Sequence, residues 1–152
     1  MRTVFECKQF AALTAHELYA MLMLRSRVFV VEQQCIYLDP DGIDTEAHHL
    51  LGWRDESRAE LISGVRILAP GAVYPEASIG RVVMAPEHRG SGAGRALMER
   101  ALVECARLHP GSAIRIGAQR YLERFYSSLG FTTVSEPYDE DGIEHVTMLR
   151  PA

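Results

Sequence analysis

His88-Arg89-Gly90-Ser91-Gly92-Ala93-Gly94-Arg95 stands between an apolar, β-branched run at residues 79–84 and a segment in which Leu97, Met98, Ala101, Leu102, Cys105 and Leu108 recur at helical spacing. The order is strand, glycine-rich turn, helix. Three glycines at alternate positions let the backbone curl with several N–H groups pointing inward, and the helix that follows adds the positive end of its dipole. Such a turn is a site for an anion, most readily a phosphate.

Spacing narrows the ligand. The dinucleotide fingerprint GxGxxG needs its third glycine at position 95 or 97, which hold Arg95 and Leu97. The nucleoside triphosphate loop GxxxxGK[ST] needs a lysine after a glycine, and the only lysine in the chain is Lys8. The pattern that does fit is RxxGxG, read as Arg89, Gly92 and Gly94. On the turn alone, a mobile glycine loop that binds nothing also stays open.

A chain of 152 residues is one domain by size, residues 1–152, and buries roughly 70% of its unfolded surface, enough for a core without staples. Cys7, Cys35 and Cys105 are odd in number and form no CxxC pair, which fits a reducing compartment, with cytoplasm as the expectation. Residues 1–10 lack a long apolar core, and no apolar run approaches the ~20 residues of a membrane span. A soluble protein without a membrane partner is expected. The net charge of −4, from 16 basic and 20 acidic side chains, argues against nucleic acid as the main partner. A phosphorylated cofactor is compatible with it, because Arg89 and Arg95 supply local positive charge beside His88.

In chain order, Phe5 and Cys7 alternate with Glu6 and Lys8 in a half-exposed first strand. Thr14 and Glu17 form a capping box that starts a helix. Its buried stripe is expected at Leu18, Met21, Leu22, Arg25, Val28 and Phe29. Arg25 on that face needs a partner, and Glu32, seven residues on, is expected to form an internal ion pair with it, a role near the active site being the other option. Residues 38–46 are acidic, with Asp39, Asp41, Asp44 and Glu46. They fail the register of a calcium loop, since Ile43 and Leu50 occupy ligand positions, so the segment is a solvated loop or the lining of an acceptor site. Residues 47–54 and 61–68 read as a hairpin. His48 and His49 at its start face opposite sides, which makes a two-histidine metal site improbable. No metal is expected. Residues 113–118 follow the glycine-loop helix as a strand apolar on both faces, the signature of a parallel pair across a crossover helix. A second helix runs from about residue 120 to 129 and ends at Gly130. Residues 131–136 and 145–149 close the chain as two strands, with Asp141-Gly142 as a hairpin signal between them. The fold class is α/β, with a mixed central sheet, antiparallel early and parallel across its centre, flanked by helices.

RxxGxG in this setting resembles the pyrophosphate-binding motif of the GCN5-related N-acetyltransferases (GNAT), which move an acetyl group from acetyl-coenzyme A to an amine. Phe125-Tyr126-Ser127-Ser128-Leu129-Gly130-Phe131 resembles the FYxxxGF ending of the same family. Arg27-Val28-Phe29-Val30-Val31-Glu32-Gln33 and Asp141-Gly142-Ile143-Glu144-His145 are similar to the ElaA-type branch, over essentially the whole chain. The resemblance implies a single-domain acyl-CoA N-acyltransferase fold and acetyl-coenzyme A as cosubstrate. It implies that the backbone of Val82, Val83 and Met84 pairs with the pantetheine amides, and that Arg89, Gly90, Ser91, Gly92, Ala93, Gly94 and Arg95 surround the pyrophosphate. Physical chemistry agrees: peptide-like amides want a strand edge, and a diphosphate wants oriented N–H donors plus guanidinium. Gln119 and Leu122 depart from the family, which commonly carries asparagine and alanine there. Gln119 is still counted with the cofactor contacts.

Acetyl transfer needs a neutral amine, a polarised thioester carbonyl and a proton for the thiolate. The resemblance puts Tyr126 at the cofactor sulfur, where it suits the general-acid role, and a strand N–H at residues 82–84 can hold the carbonyl. No glutamate lies on residues 79–84, where many relatives keep a base, so Glu32 and His145 become the candidates. Acidic residues at 39–46 and 139–144 suggest a small cationic amine or a basic peptide end as acceptor. A homodimer is left open. A non-catalytic acyl-coenzyme A binding module is the alternative, favoured by the missing strand glutamate and opposed by Tyr126.

Overall fold

The computed structural model describes residues 2–152, so Met1 and whatever it contributes lie outside the description. The first sheet is an antiparallel meander of β1 (Val4–Gln9), β2 (His48–Trp53), β3 (Leu61–Leu68) and β4 (Ser78–Met84). The hairpin expected at residues 47–54 and 61–68 is β2 with β3. The second sheet holds β5 (Ile114–Gln119), β6 (Thr132–Thr133), β7 (Tyr138–Glu140) and β8 (Ile143–Arg150), with β8 between β5 on one edge and β6 and β7 on the other. Every named pairing is antiparallel.

The expected parallel pair is reduced to its first rung. Ala77 and Ile114 form a parallel bridge, and the Arg115 N–H donates to the Ala77 carbonyl at 2.9 Å. Beyond that rung β4 follows β3 and β5 follows β8. A bulge drives the divergence: between Gly64↔Val83 and Arg66↔Gly80, β4 places Arg81 and Val82 against the single residue Val65, and Arg81 takes φ +48°. An extra residue bends the strand that carries it. Nor is β5 apolar on both faces. Ile114, Ile116 and Ala118 are buried, while Arg115, Gly117 and Gln119 turn to the other side.

Helices cover both faces. On one, α2 (Ala93–Leu108) buries Leu97, Met98, Ala101 and Cys105, with α3 (Glu123–Ser127) beside it, against Ile79, Ile116, Ala118, Val146 and Met148. On the other, α1 (Ala15–Arg25) packs Met21 and Leu24 on Leu51, Trp53 and Ile62. The Thr14 and Glu17 capping box closes as expected, the Glu17 N–H donating to Thr14 Oγ1 and the Thr14 N–H to Glu17 Oε1. None of the described helices is long and apolar enough to cross a membrane.

Past Arg25 the helix widens into a π segment, Ser26–Glu32, in which the Gln33 N–H bonds the carbonyl five residues back at Val28. Wider turns rotate every later residue off the α-helical stripe, so Glu32 no longer shares a face with Arg25. The expected ion pair is absent. Arg25 Nε donates to Asp39 Oδ2 at 2.8 Å, and its terminal nitrogens grip both oxygens of Asp44 at 2.9 and 3.1 Å. The acidic loop is therefore not simply solvated. Asp39 and Asp44 are buried, Arg66 joins Asp41 to Asp44, and Arg81 reaches Asp39 and Asp41.

At the C-terminal end two expectations shift. The helix at residues 120–129 is a 3-10 turn, Arg120–Leu122, then the short α3, stopped by Gly130 at φ +95°. The strand at 131–136 shrinks to β6, because the Thr147 N–H turns to the Ser135 hydroxyl at 2.8 Å in place of a backbone carbonyl, and Pro137 follows. The hairpin partner of β8 is β7, joined through Asp141 and Gly142 at φ +53° and +80°. Two consecutive positive φ values make a type I′ turn, whose twist matches the flanking strands.

Candidate active site

Where β4 and β5 part, a cleft of about 990 Å³ opens. Its walls include the backbone run Ile79 to Met84 on one side and Ile116, Gly117 and Gln119 on the other. Val83 and Met84 pair with Gly64 and Ser63 of β3. The opposite edge of β4 is turned to the gap, where an extended amide chain can add to it. Arg81, in its left-handed conformation, is clamped from outside: Nε lies 2.9 Å from Asp39 Oδ1, Nη2 donates to the Asp39 carbonyl at 3.0 Å, and the guanidinium lies over the Tyr37 ring at 5.8 Å.

The glycine loop forms one mouth of the cleft. Gly90 and Gly92 take φ +83° and +80°, and Gly92 starts α2 without a side-chain cap. Among the described residues, the N–H groups of residues 90–95 find no acceptor, and the first one engaged is that of Ala96, on the Gly92 carbonyl at 3.1 Å. A Cβ at Gly90, Gly92 or Gly94 would meet nothing within 4 Å. A row of unpaired N–H groups at a helix start, over open space, fits a diphosphate. Arg95 donates to the Ser128 hydroxyl at 2.9 Å, which ties the loop to the end of α3. Arg89 makes a two-pronged pair with Glu32 at 2.6 and 2.8 Å across the mouth. That guanidinium holds the Glu32 carboxyl below the usual range, so Glu32 is ionised but a weakened base.

Tyr126 stands deeper, on the α2 and α3 side of the sheet. Its ring is 6% exposed, between Phe125 and Phe131 in edge-to-face contact at 5.3 and 5.9 Å. Its hydroxyl has no hydrogen-bond partner among the described residues, and burial pushes the phenol up to about 12. His145 lies on the opposite face. It is the cross-strand partner of Gln119, next to the core pair of Ala118 and Val146, so its side chain leaves the sheet away from Tyr126. Both residues line the same cleft, as do Gln119 and Glu32.

Tyr37 escaped the sequence reading, and Glu140 entered it only as one of the acidic residues of 139–144, without a partner. For Glu140 the signal was present: a two-residue Asp-Gly turn folds Tyr138 opposite His145 and Glu140 opposite Ile143, one face of one hairpin. For Tyr37 there was none, since its neighbours in space, Asp39 and Arg81, are joined only by the fold.

A splayed strand edge that runs from an N–H cradle to a buried tyrosine has the shape and donors to suit an acyl-coenzyme A thioester, and the chain belongs to the GNAT acyltransferase family: the profile of the Acetyltransferase (GNAT) domain matches residues 45–150. Within the family it falls in the ElaA-type branch. Protein ElaA of Escherichia coli strain K12 is 42% identical over 140 residues, which span 91% of this chain and 90% of that protein. The crystal structure of Escherichia coli ElaA superimposes with a TM-score of 0.90 at 38% identity, covering 98% of this chain and 99% of the other. An acyl-CoA N-acyltransferase from Pseudomonas aeruginosa is similar at a TM-score of 0.92 and 43% identity, over 98% of this chain and 99% of its own.

Proposed function

We propose that the protein moves the acetyl group of acetyl-coenzyme A to an amine by direct attack in a ternary complex. The observation that carries this reading is the cleft itself, whose lining includes the glycine loop and Tyr126 together with His145, which leaves the sheet on the face opposite Tyr126. Donor and acceptor can then enter from opposite mouths and meet at the thioester. The pyrophosphate lies against the N–H groups of residues 90–95, with Arg89 and Arg95 at its rim. The pantetheine amides extend β4 along Val82, Val83 and Met84, and an N–H of that edge polarises the thioester carbonyl.

Tyr126 acts at the sulfur. A thiol ionises near ~8.5, so full transfer of a proton from a phenol held at about 12 is uphill. The residue therefore works by donating a hydrogen bond as negative charge grows on the leaving sulfur, and its high pKa keeps that donor protonated throughout the neutral range. The acceptor is a small cationic amine or a basic peptide end. Support comes from the outer mouth, where Glu140 and Asp141 line the cleft, whereas Asp39, Asp41 and Asp44 are already matched by arginines.

Calorimetry with acetyl-coenzyme A, followed by a panel of primary alkylamines, diamines and short peptides with free thiol recorded over time, tests the proposal. Binding with turnover of at least one amine is expected. Failure to bind acetyl-coenzyme A overturns the reading, and binding without turnover of any amine leaves a binding module.

A further inference from the structure

At the outer mouth His145 Nε2 and a Glu140 carboxylate oxygen face one another. His145 Nδ1 lies 2.8 Å from the carbonyl oxygen of Ile143. A carbonyl only accepts, so Nδ1 carries the hydrogen, and a neutral ring then presents a lone pair at Nε2. Facing Nε2 at 3.4 Å is Glu140 Oε2, a carboxylate oxygen that also only accepts. The imidazole cannot turn away to relieve this. Its side chain is 10% exposed, its ring is stacked on Tyr138 at 6.0 Å and 24°, and its other nitrogen is spent on the backbone. The Glu140 side chain is 59% exposed and reaches in from the solvent side. When the ring is neutral, Nε2 and the Glu140 carboxylate together can receive a donor with at least two N–H groups, and an alkylammonium head has three.

Resting on the acyl transfer proposed above, we infer that Glu140 and His145 form the acceptor-amine subsite, Glu140 holding the ammonium and His145 Nε2 removing its proton. Glu140 and Tyr138 from β7 face the imidazole, and Gln119 is its cross-strand neighbour on β5, an uncharged amide. Glu144 on β8 itself points elsewhere, accepting from Arg120 at 2.8 Å. Proton and electron counts balance. The ammonium gives one proton to Nε2, which passes it by Glu140 to water. The freed nitrogen lone pair forms the C–N bond at the thioester carbon, and the C–S bond breaks with its electron pair left on sulfur. The second nitrogen proton is lost as the amide forms and restores the neutral thiol. The site selects amines that are protonated in solution and places the base on the face opposite Tyr126, so that proton removal and thiolate departure do not compete for one side chain.

The test uses the full chain carrying Glu140→Gln or His145→Gln, with acetyl-coenzyme A and the fastest amine of the panel. Melting curves establish folding, calorimetry gives the acetyl-coenzyme A affinity, and kcat and KM for the amine are followed from pH 6 to 10. Both variants are expected to bind acetyl-coenzyme A as the wild type does. His145→Gln should lose at least ~10² in kcat at pH 7, within the span of general-base effects, and recover most of it toward pH 10, where the amine is already neutral. Glu140→Gln should raise KM for the amine about tenfold. Should His145→Gln fail to fold, the exposed Glu140→Gln carries the test by its KM alone. A folded His145→Gln with wild-type kcat at pH 7, a loss that stays constant with pH, or an unchanged KM in Glu140→Gln overturns the assignment. A wild type that turns over no amine overturns the transferase reading itself, which is a different result.

Discussion

Burial packs the Tyr126 ring against Phe125 and Phe131 and raises its phenol to about 12, while the hydroxyl meets no protein group among the described residues. Removing that oxygen should leave the packing intact, so Tyr126→Phe is expected to melt no lower than the wild type and to bind acetyl-coenzyme A nearly as well. Turnover should fall by about 10², the usual cost of one hydrogen-bond donor aimed at charge that develops in the transition state. The fall is masked if loss of the amine proton limits the rate. Single turnovers at high pH, where the amine is neutral, remove the mask, and equality of variant and wild type there would make Tyr126 a packing residue. The position of Tyr126 was legible in the sequence because FYxxxGF carries it as a unit. The geometry of His145 was not, since it depends on which carbonyl the ring meets.

At the scale of elements, α2 was legible and β5 was not. The buried stripe of α2 at Leu97, Met98, Ala101 and Cys105 repeats at helical spacing within one segment. In β5 the alternation was hidden by Gly117, which counts as apolar yet lies on the outer face, where the Tyr138 hydroxyl stands 3.2 Å from the place of its missing Cβ. The stripe of α1 failed past Arg25 because an α-helical period no longer applies in the π segment. The start of α2 yields a prediction that separates binding from folding. Gly92 has φ +80°, so a side chain there strains the backbone whatever else it does. Gly94 is the second residue of the helix, has no positive φ, and has nothing within 4 Å of a Cβ. Gly94→Ala should hold or raise the melting temperature, since alanine in a helix is favoured over glycine by up to ~1 kcal/mol. It should weaken acetyl-coenzyme A at least tenfold by filling the space where a diphosphate meets the N–H groups. Unchanged affinity in calorimetry would remove the loop from the binding site.

Across the whole molecule, three arginines and three aspartates join parts that are far apart in the chain. Arg25 on α1, Asp39, Asp41 and Asp44 in the acidic loop, Arg66 on β3 and Arg81 in the bulge of β4 make one connected set. No period or short motif encodes such pairings, which is why the partners of the acidic loop were not legible in the sequence. Their effect reaches the cleft, because Arg81 directly precedes the β4 edge at Val82. Burial works against ionisation of Asp41, but Arg66, the Ile43 N–H and Arg81 outweigh it and hold the carboxyl down at about 2. For Asp44 burial is likewise outweighed, by Arg25 and Arg66, and its pKa is lowered. A carboxylate with a depressed folded-state pKa binds protons more readily in the unfolded chain. Its stabilisation is complete above the unfolded value near ~3.9 and is lost as pH falls toward the folded one. Melting temperature should therefore hold from pH 7 to about 5 and drop steeply between about 4 and 2. Asp41→Asn isolates one carboxylate, since the amide keeps the shape and cannot titrate. At pH 7 it should melt below the wild type, the Arg66 and Arg81 guanidiniums having lost a charge partner. As the wild-type Asp41 itself becomes protonated, the two curves should converge near pH 2. Curves that stay parallel down to pH 2 would mean that Asp41 contributes through packing alone, and that the bulge at Arg81 is held by Asp39 without it.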